Sequence, residues 1–257
     1  ISVLSMAAFA FAFLFYYLLH RDLRGRHQNR MRLERTIREN EELLSARKNM
    51  MLTISHDLRA PLAAISGYAE LLPDERRKEN RRRYSDAILQ SSARMLGLLN
   101  TLLGFYRLET GKEQPENKPF RLQPLAEILT DEYAPLAAKK QLDFTTDYDG
   151  GDIVVTGDRE RTLEIVSNLL SNAVKFTAQG SVRLNMHYAS DELTVTVEDT
   201  GAGMTEAETE AIFQPFERLD KSEVQGFGLG LSITLALVSL LNGTLEVASS
   251  PGKGSRF

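Results

Sequence analysis

Residues 168–177 read NLLSNAVKFT, and this stretch carries the first indication of the fold. Asn168 and Asn172 are four residues apart and Lys175 follows three later, so a helix places the three side chains on one face. That face can offer carboxamide oxygens to a cation such as Mg²⁺ and an ammonium group to phosphate oxygens. The same pattern is also typical of a solvated helix surface, so the surrounding segments must decide between the two.

Two glycine-bearing segments follow toward the C-terminus. DTGAGM, residues 199–204, comes directly after an alternating stretch, so Asp199 ends a predicted strand and the glycines allow another backbone or a ligand to approach closely. GFGLGLSI, residues 226–233, precedes an apolar helix and offers backbone amides at its positive end. Leu231 replaces the third glycine of a dinucleotide fingerprint and no P-loop lysine follows, which excludes both common phosphate loops.

The domain around these segments is predicted to be an α+β sandwich. Helices are predicted at 125–139, 159–176 and 232–241, and strands at 143–147, 153–156, 181–188 and 192–199. Strands and helices do not alternate regularly, which argues against a doubly wound parallel sheet. We assign this domain to residues 120–257, after a polar, proline-bearing linker at 111–119.

The preceding part of the chain is predicted to be helical. A heptad-like apolar pattern runs from Leu33 to Ile65, with polar Asn40 and Arg47 at two seam positions, and a second periodic segment covers 81–108. Pro61 bends the first helix and Pro73 marks a turn. We therefore expect a coiled-coil helix within 20–49 and an antiparallel hairpin at 50–110 that dimerises into a four-helix bundle. A single amphipathic helix lying on its own domain is the alternative for the heptad segment.

Residues 1–19 contain no charged residue and are long enough to cross one bilayer. Five arginines follow within 21–32, which predicts a transmembrane helix with the rest of the chain in the cytoplasm. A cleaved signal peptide is the alternative, although its positive charge normally precedes the apolar run.

The overall composition excludes several classes of function. The 257 residues contain no cysteine, which rules out disulfides, thiolate metal sites and a cysteine nucleophile. The net charge of −4 gives no general attraction to nucleic acid.

Six segments in order resemble the sequence boxes of the histidine kinase family. ISHDLRAPL, residues 54–62, resembles its H-box, NLLSNAVKFT its N-box and DTGAGM its G1 box. IFQPFERL, residues 212–219, resembles its F-box, GFGLGLSI its G2 box and SSPGKGSRF, residues 249–257, the start of its last glycine box. The resemblance implies a Bergerat-type ATP-binding domain after a dimeric phosphotransfer hairpin.

The resemblance also implies an activity. His56 would receive the γ-phosphoryl group of ATP, and Asp57 would hold the imidazole Nδ1 proton so that Nε2 is the nucleophile. If Met51, Ile54 and Leu58 face the bundle interior, His56 faces solvent. The phosphoryl group would then pass to an aspartate of a response-regulator receiver domain, separate or fused downstream. Such kinases are homodimers in the bacterial inner membrane.

For the nucleotide site, the resemblance implies that ATP binds with Mg²⁺. Asn172 would ligate the metal ion, Asn168 would line the pocket and Lys175 would contact phosphate. Asp199 would accept a hydrogen bond from the adenine amino group, and the lid residue Arg218 would neutralise the γ-phosphate. The resemblance places these further residues at the nucleotide: Gly201, Gly203, Phe213, Gly226, Gly228, Leu229 and Gly230.

Two positions depart from the family pattern. Ala60 stands where many members carry Thr or Asn that orients a water molecule, so we expect weak phosphatase activity on the partner. Phe227 stands where a small hydroxyl residue is common. Two other functions remain as alternatives. Type II topoisomerases, mismatch-repair ATPases and the heat-shock chaperone share the nucleotide fold, but they use water as acceptor and lack the H-box hairpin. A degenerate kinase would act only as a dimeric scaffold.

Overall fold

A computed structural model describes residues 3–73, 76–111, 113–217 and 228–257 of the chain. The chain divides into two compact units, Ile1–His56 and Asp57–Phe257. Arg218 and Gly226, for which the resemblance implies roles, and Phe227, which departs from the family pattern, lie outside the described residues.

The first helix, α1, runs from Val3 to Leu71 as one continuous element of 69 residues with Pro61 inside it. Within the first unit, the heptad positions Leu33, Ile37 and Leu44 are exposed, as expected of a seam that lacks its partner helix. Over the described part of the chain, no helical stretch is apolar for long enough to cross a membrane.

The second helix, α2, runs from Lys78 to Glu109 and forms the return leg of the predicted hairpin. The rings of Tyr68 in α1 and Tyr84 in α2 lie 5.5 Å apart between centroids. On α2, Leu89, Leu96 and Leu103 recur every seven residues and are exposed in the single chain. An apolar stripe of this period is typical of a helix that packs against further helices.

The remainder folds as the predicted α+β sandwich. A five-stranded sheet has the order β2-β4-β5-β7-β6, in which β2 and β4 are parallel and the other neighbours antiparallel. A separate pair joins β1 and β3. The strands are β1 (Lys118–Arg121), β2 (Asp143–Asp149), β3 (Val154–Gly157), β4 (Ser181–Ala189), β5 (Glu192–Asp199), β6 (Ala248–Ser250) and β7 (Gly254–Arg256). The helices are α3 (Gln123–Lys139), α4 (Arg159–Phe176), α5 (Glu206–Ala211) and α6 (Gly230–Leu240).

One predicted boundary is corrected by these elements. Strand β1 begins at Lys118 and pairs with β3, so the last two residues of the linker predicted at 111–119 belong to the domain. Because Pro119 pairs with Thr156 in this strand pair, the end of the predicted linker lies against the domain.

The main core lies between the sheet and helices α3 and α4. On β4, Val182, Leu184 and Met186 alternate with exposed residues and are fully buried against α3 and α4 residues such as Leu129 and Leu170. Burial of each such side chain contributes about 1.5–3 kcal/mol relative to exposure. A second cluster joins α2 to α6 and consists of the buried residues Phe105, Leu229, Ile233 and Leu237.

Candidate active site

Helix α4 presents the N-box side chains because its opposite face is anchored in the core. Its N-cap, Asp158, is buried; its Oδ1 accepts from Arg161 N at 3.0 Å and its Oδ2 from Glu116 N at 2.8 Å. The helix buries Val166, Leu169, Leu170, Ala173 and Val174. The rotation that buries these residues leaves Asn168, Asn172 and Lys175 along the wall of a cavity.

This cavity has a volume of about 710 Å³ and lies among α4, the end of β5 and the start of α6. It brings together eight predicted nucleotide-site residues that are spread over 63 positions of sequence: Asn168, Asn172, Lys175, Asp199, Gly203, Gly228, Leu229 and Gly230. Gly201 and Phe213 are described but lie outside its lining. Met204 and Ile212 add an apolar wall that the sequence reasoning did not assign.

Asn168 lines the cavity but its amide is engaged inside the protein. Its Nδ2 donates to Gly230 O at 2.6 Å and to Thr234 Oγ1 at 3.0 Å. Both contacts reach α6, and Thr234 is fully buried. These two hydrogen bonds of Asn168 therefore hold α4 against α6, the helix that begins in the G2 box.

Asn172 and Lys175 are placed differently from Asn168. Asn172 is half-buried in the cavity wall, and its side chain makes no hydrogen bond to another described residue, so its carboxamide oxygen is available to a cation. The Lys175 ammonium lies 4.7 Å from the centroid of the Phe176 ring, within the range of a cation–π contact. This leaves a positive charge at the cavity, where phosphate oxygens can reach it.

Asp199 ends β5 with its carboxylate at the cavity. Burial raises the pKa of the Asp199 carboxyl, against the opposing effect of backbone N–H groups of Gly201 and Ser255 that hydrogen-bond to it. The Gly201 N–H donates to Asp199 Oδ1 at 2.8 Å, which fixes the carboxylate orientation. A half-buried, oriented carboxylate is a strong acceptor for an amino group that enters the cavity.

The glycines of DTGAGM serve close backbone packing. Gly203 has φ +66°, and a Cβ there would overlap the carbonyl oxygen of Ser250. Two hydrogen bonds hold the loop on the β6–β7 hairpin: Gly252 N donates to Ala202 O at 2.6 Å and Met204 N to Ser249 Oγ at 2.8 Å. A Cβ on Gly201 would come within 2.7 Å of Phe176 O. The sequence left open whether these glycines make room for another backbone segment or for a ligand. At both Gly201 and Gly203 the structure places another backbone segment.

The last described residues of the F-box contact Gly228, the first described glycine of the G2 box. Phe216 N donates to Gly228 O at 2.8 Å, and both residues have φ +67°. A Cβ on Gly228 would lie 2.7 Å from Glu217 O, so this position needs glycine. The Phe216 ring packs edge-on against Phe105 at 6.4 Å between centroids, in the second apolar cluster.

His56 and Asp57 lie on α1, where the first unit ends and the second begins. His56 is exposed, as the helical phase predicts, and Asp57 is half-buried. An exposed imidazole at this position is accessible to a phosphoryl donor.

Comparison with known proteins agrees with this arrangement. The family model for the His Kinase A (phospho-acceptor) domain matches residues 46–111. The model for the histidine kinase-, DNA gyrase B- and HSP90-like ATPase matches residues 157–257. The combination of both domains separates this chain from ATPases that lack a phospho-acceptor hairpin.

Individual relatives point the same way. The autoinducer 2 sensor kinase/phosphatase LuxQ of Vibrio cholerae is 35% identical over 228 residues, covering 86% of this chain and 27% of LuxQ. The sensor histidine kinase RcsC of Escherichia coli is 33% identical over 237 residues, covering 89% of this chain and 25% of RcsC. Full-length ShkA, solved in complex with AMPPNP, has a TM-score of 0.63 at 28% identity, covering 81% of this chain and 44% of ShkA.

The chain therefore belongs to the sensor histidine kinase family, whose phospho-acceptor and ATPase domains it carries in sequence. It spans about a quarter of the length of these two curated relatives.

Proposed function

We propose that this chain is a kinase core that binds ATP with Mg²⁺ in the cavity and transfers the γ-phosphoryl group to His56. The observation that carries this proposal is the assembly of an available carboxamide, an ammonium group and a half-buried carboxylate around one cavity of about 710 Å³. The chain adds an exposed histidine in a phospho-acceptor domain.

Each cavity residue has a role that fits its chemistry. Asn172 offers a neutral oxygen to Mg²⁺, which commonly keeps several waters and takes its other ligands from the phosphates. Lys175 supplies positive charge to the phosphates, and Asp199 accepts a hydrogen bond from the adenine amino group. Met204 and Ile212 give the base an apolar surface. Bound Mg²⁺ would neutralise charge on the phosphates during transfer.

The transfer uses His56 as the nucleophile. Asp57 would accept a hydrogen bond from Nδ1–H, and the lone pair on Nε2 would then attack the γ-phosphorus. An N–P bond forms at Nε2 as the bond between the γ-phosphorus and the bridging oxygen of ATP breaks, and ADP leaves with that oxygen. The phosphoryl group then passes to a carboxylate oxygen of an aspartate in a response-regulator receiver domain.

The helical hairpin supports a homodimer. Leu89, Leu96 and Leu103 of α2 form an exposed stripe with heptad spacing, and a second copy of the hairpin would bury it in a four-helix bundle. Dimerisation can be measured by sedimentation, with Leu96→Glu as the variant expected to shift the chain toward monomer.

We also propose attachment to the bacterial inner membrane through residues 1–19, with the kinase core in the cytoplasm. The support is the charge-free run followed by five arginines within 21–32. Membrane fractionation of the expressed chain tests this, and recovery in the soluble fraction after a high-salt wash would contradict it.

Labelling with radioactive ATP and Mg²⁺ tests the kinase activity. Wild type should acquire an acid-labile, alkali-stable label, and His56→Gln should acquire none. His187→Gln is the matched control, because His187 is also exposed and lies on β4 beside Asp149. A label that persists in His56→Gln would refute the assignment, and no label in any variant would favour the dimeric scaffold.

A further inference from the structure

Helix α4 ends without the glycine that commonly caps a helix. Its last residue is Phe176, and the following Thr177 is extended at φ −92° and ψ 119°. Thr177 directs both its N–H and its Oγ1 to Ala173 O, at 3.1 Å and 2.7 Å. The later carbonyl groups of the last turn therefore need other donors, because a helix end leaves its final four carbonyls without intrahelical partners.

Lys140 supplies those donors from another part of the chain. Its Nζ lies 2.8 Å from Val174 O, 2.8 Å from Lys175 O and 3.5 Å from Thr177 O. An ammonium group has three N–H donors, and here all three have carbonyl oxygens within reach. Its charge also complements the negative end of the α4 dipole.

The position of Lys140 is itself fixed. It is the C-cap of α3, where its N–H donates to Ala137 O at 2.9 Å, and Gln141 turns the chain at φ +60°. Lys140 also lines the same cavity as Asn172 and Lys175. The end of α3 is thus tied to the turn of α4 that carries the phosphate-facing lysine.

We propose that Lys140 is a positioning residue for ATP binding, which holds the last turn of α4 so that Lys175 and Asn172 face the phosphates and the metal ion. This inference rests on the proposed function of the cavity. Lys140 acts through the α4 backbone: one of the carbonyls it binds belongs to Lys175 itself, and Asn172 lies one turn earlier. When these bonds are lost, the helix end frays and the Lys175 ammonium is no longer fixed relative to Asp199.

The experiment compares ATP and adenosine binding by displacement of a fluorescent ATP analogue from the full chain. In Lys140→Met, ATP affinity should fall about tenfold, the effect expected from losing charge-assisted hydrogen bonds that order a ligand group. Adenosine affinity should change less than about twofold, because Asp199 is held by β5 and not by Lys140. The KM for ATP should rise by the same factor as the affinity loss, with the rate at saturating ATP nearly unchanged.

Two further variants separate positioning from general support of the fold. Lys139→Met removes a neighbouring exposed lysine at the last position of α3 and should bind ATP like wild type. Lys140→Arg keeps the charge and the donors and should recover most of the affinity. If Lys140→Met does not fold, the test uses Lys140→Gln and measures hydrogen exchange of its backbone amides. The amides of residues 174–177 should exchange faster in Lys140→Gln than in Lys139→Gln.

The outcomes are distinct. Wild-type ATP affinity in Lys140→Met, equal losses for ATP and adenosine, or unchanged exchange in Lys140→Gln would each overturn the positioning role while leaving the kinase proposal intact. Failure of wild type itself to bind ATP would overturn the proposed function and this inference with it.

Discussion

Substitution of Gly203 by alanine should destabilise the nucleotide domain rather than only weaken ATP binding. A left-handed backbone costs a non-glycine residue about 1–2 kcal/mol. The added Cβ would also overlap Ser250 O, a backbone atom that no side-chain rotation can move away. The loop must therefore separate from the β6–β7 hairpin.

Separation breaks the hydrogen bonds from Gly252 N to Ala202 O and from Met204 N to Ser249 Oγ. At about 1 kcal/mol for each bond, together with the backbone strain of about 1–2 kcal/mol, the free energy of unfolding should fall by roughly 3–4 kcal/mol. Gly252→Ala is the matched control, because Gly252 has φ +74° but nothing within 4 Å of its Cβ position. Its cost should be limited to the backbone strain of about 1–2 kcal/mol.

Urea denaturation followed by circular dichroism measures both variants, and ATP binding is measured on the same samples. We expect Gly203→Ala to unfold at a clearly lower urea concentration than Gly252→Ala. If Gly203→Ala were as stable as Gly252→Ala but had lost ATP binding, the glycine would serve the nucleotide, and the backbone explanation would be refuted.

Three further predictions concern other positions of the chain. Because burial raises the pKa of Asp199, the folded state binds more protons than the unfolded chain above the ordinary aspartate pKa of about 3.9, and this group's contribution to stability falls as pH rises. Asp199→Asn should remove this pH dependence, so the urea midpoint of the variant should rise relative to that of wild type between pH 4 and pH 7. A midpoint difference that stays constant over this range would contradict the prediction. Thr205→Ala breaks the capping box with Glu208 and should cost about 1 kcal/mol in urea denaturation, and an unchanged midpoint would show that α5 needs no cap. Ala60→Thr should increase dephosphorylation of a receiver partner by the purified core. High phosphatase activity in the unmodified chain would refute the expectation that Ala60 makes this activity weak.

The longer elements could be predicted from the sequence because their periodicity is strong. Helix α4 spans the predicted residues 159–176, since its apolar face repeats with helical spacing and Asp158 caps its start. Strand β5 likewise spans the predicted residues 192–199. The sandwich followed from these elements, whereas the grouping of Asn172 and Asp199 at one site was predicted from the resemblance to the histidine kinase boxes.

The short elements were missed because three to six residues carry little periodicity. Strands β1, β6 and β7 and helix α5 are all of this length. Helix α5 had one readable signal, since Thr205 and Glu208 have the spacing of a capping box. Lys140 had none, because its partners lie 34 to 37 residues away in the sequence. Contacts of this kind follow from the packing of α3 on α4 and not from any local pattern.

The second apolar cluster connects the nucleotide site to the phospho-acceptor hairpin. Leu229 lines the cavity and belongs to the same buried cluster as Phe105 of α2. Phe216, whose N–H donates to Gly228 O, packs edge-on against the Phe105 ring. Thr101 of α2 also reaches the cavity wall. Because closely packed apolar side chains do not deform continuously, displacement of α2 would empty the space beside Leu229 and Phe216. One wall of the cavity is thus formed by residues of an apolar cluster to which helix α2 of the hairpin contributes Phe105.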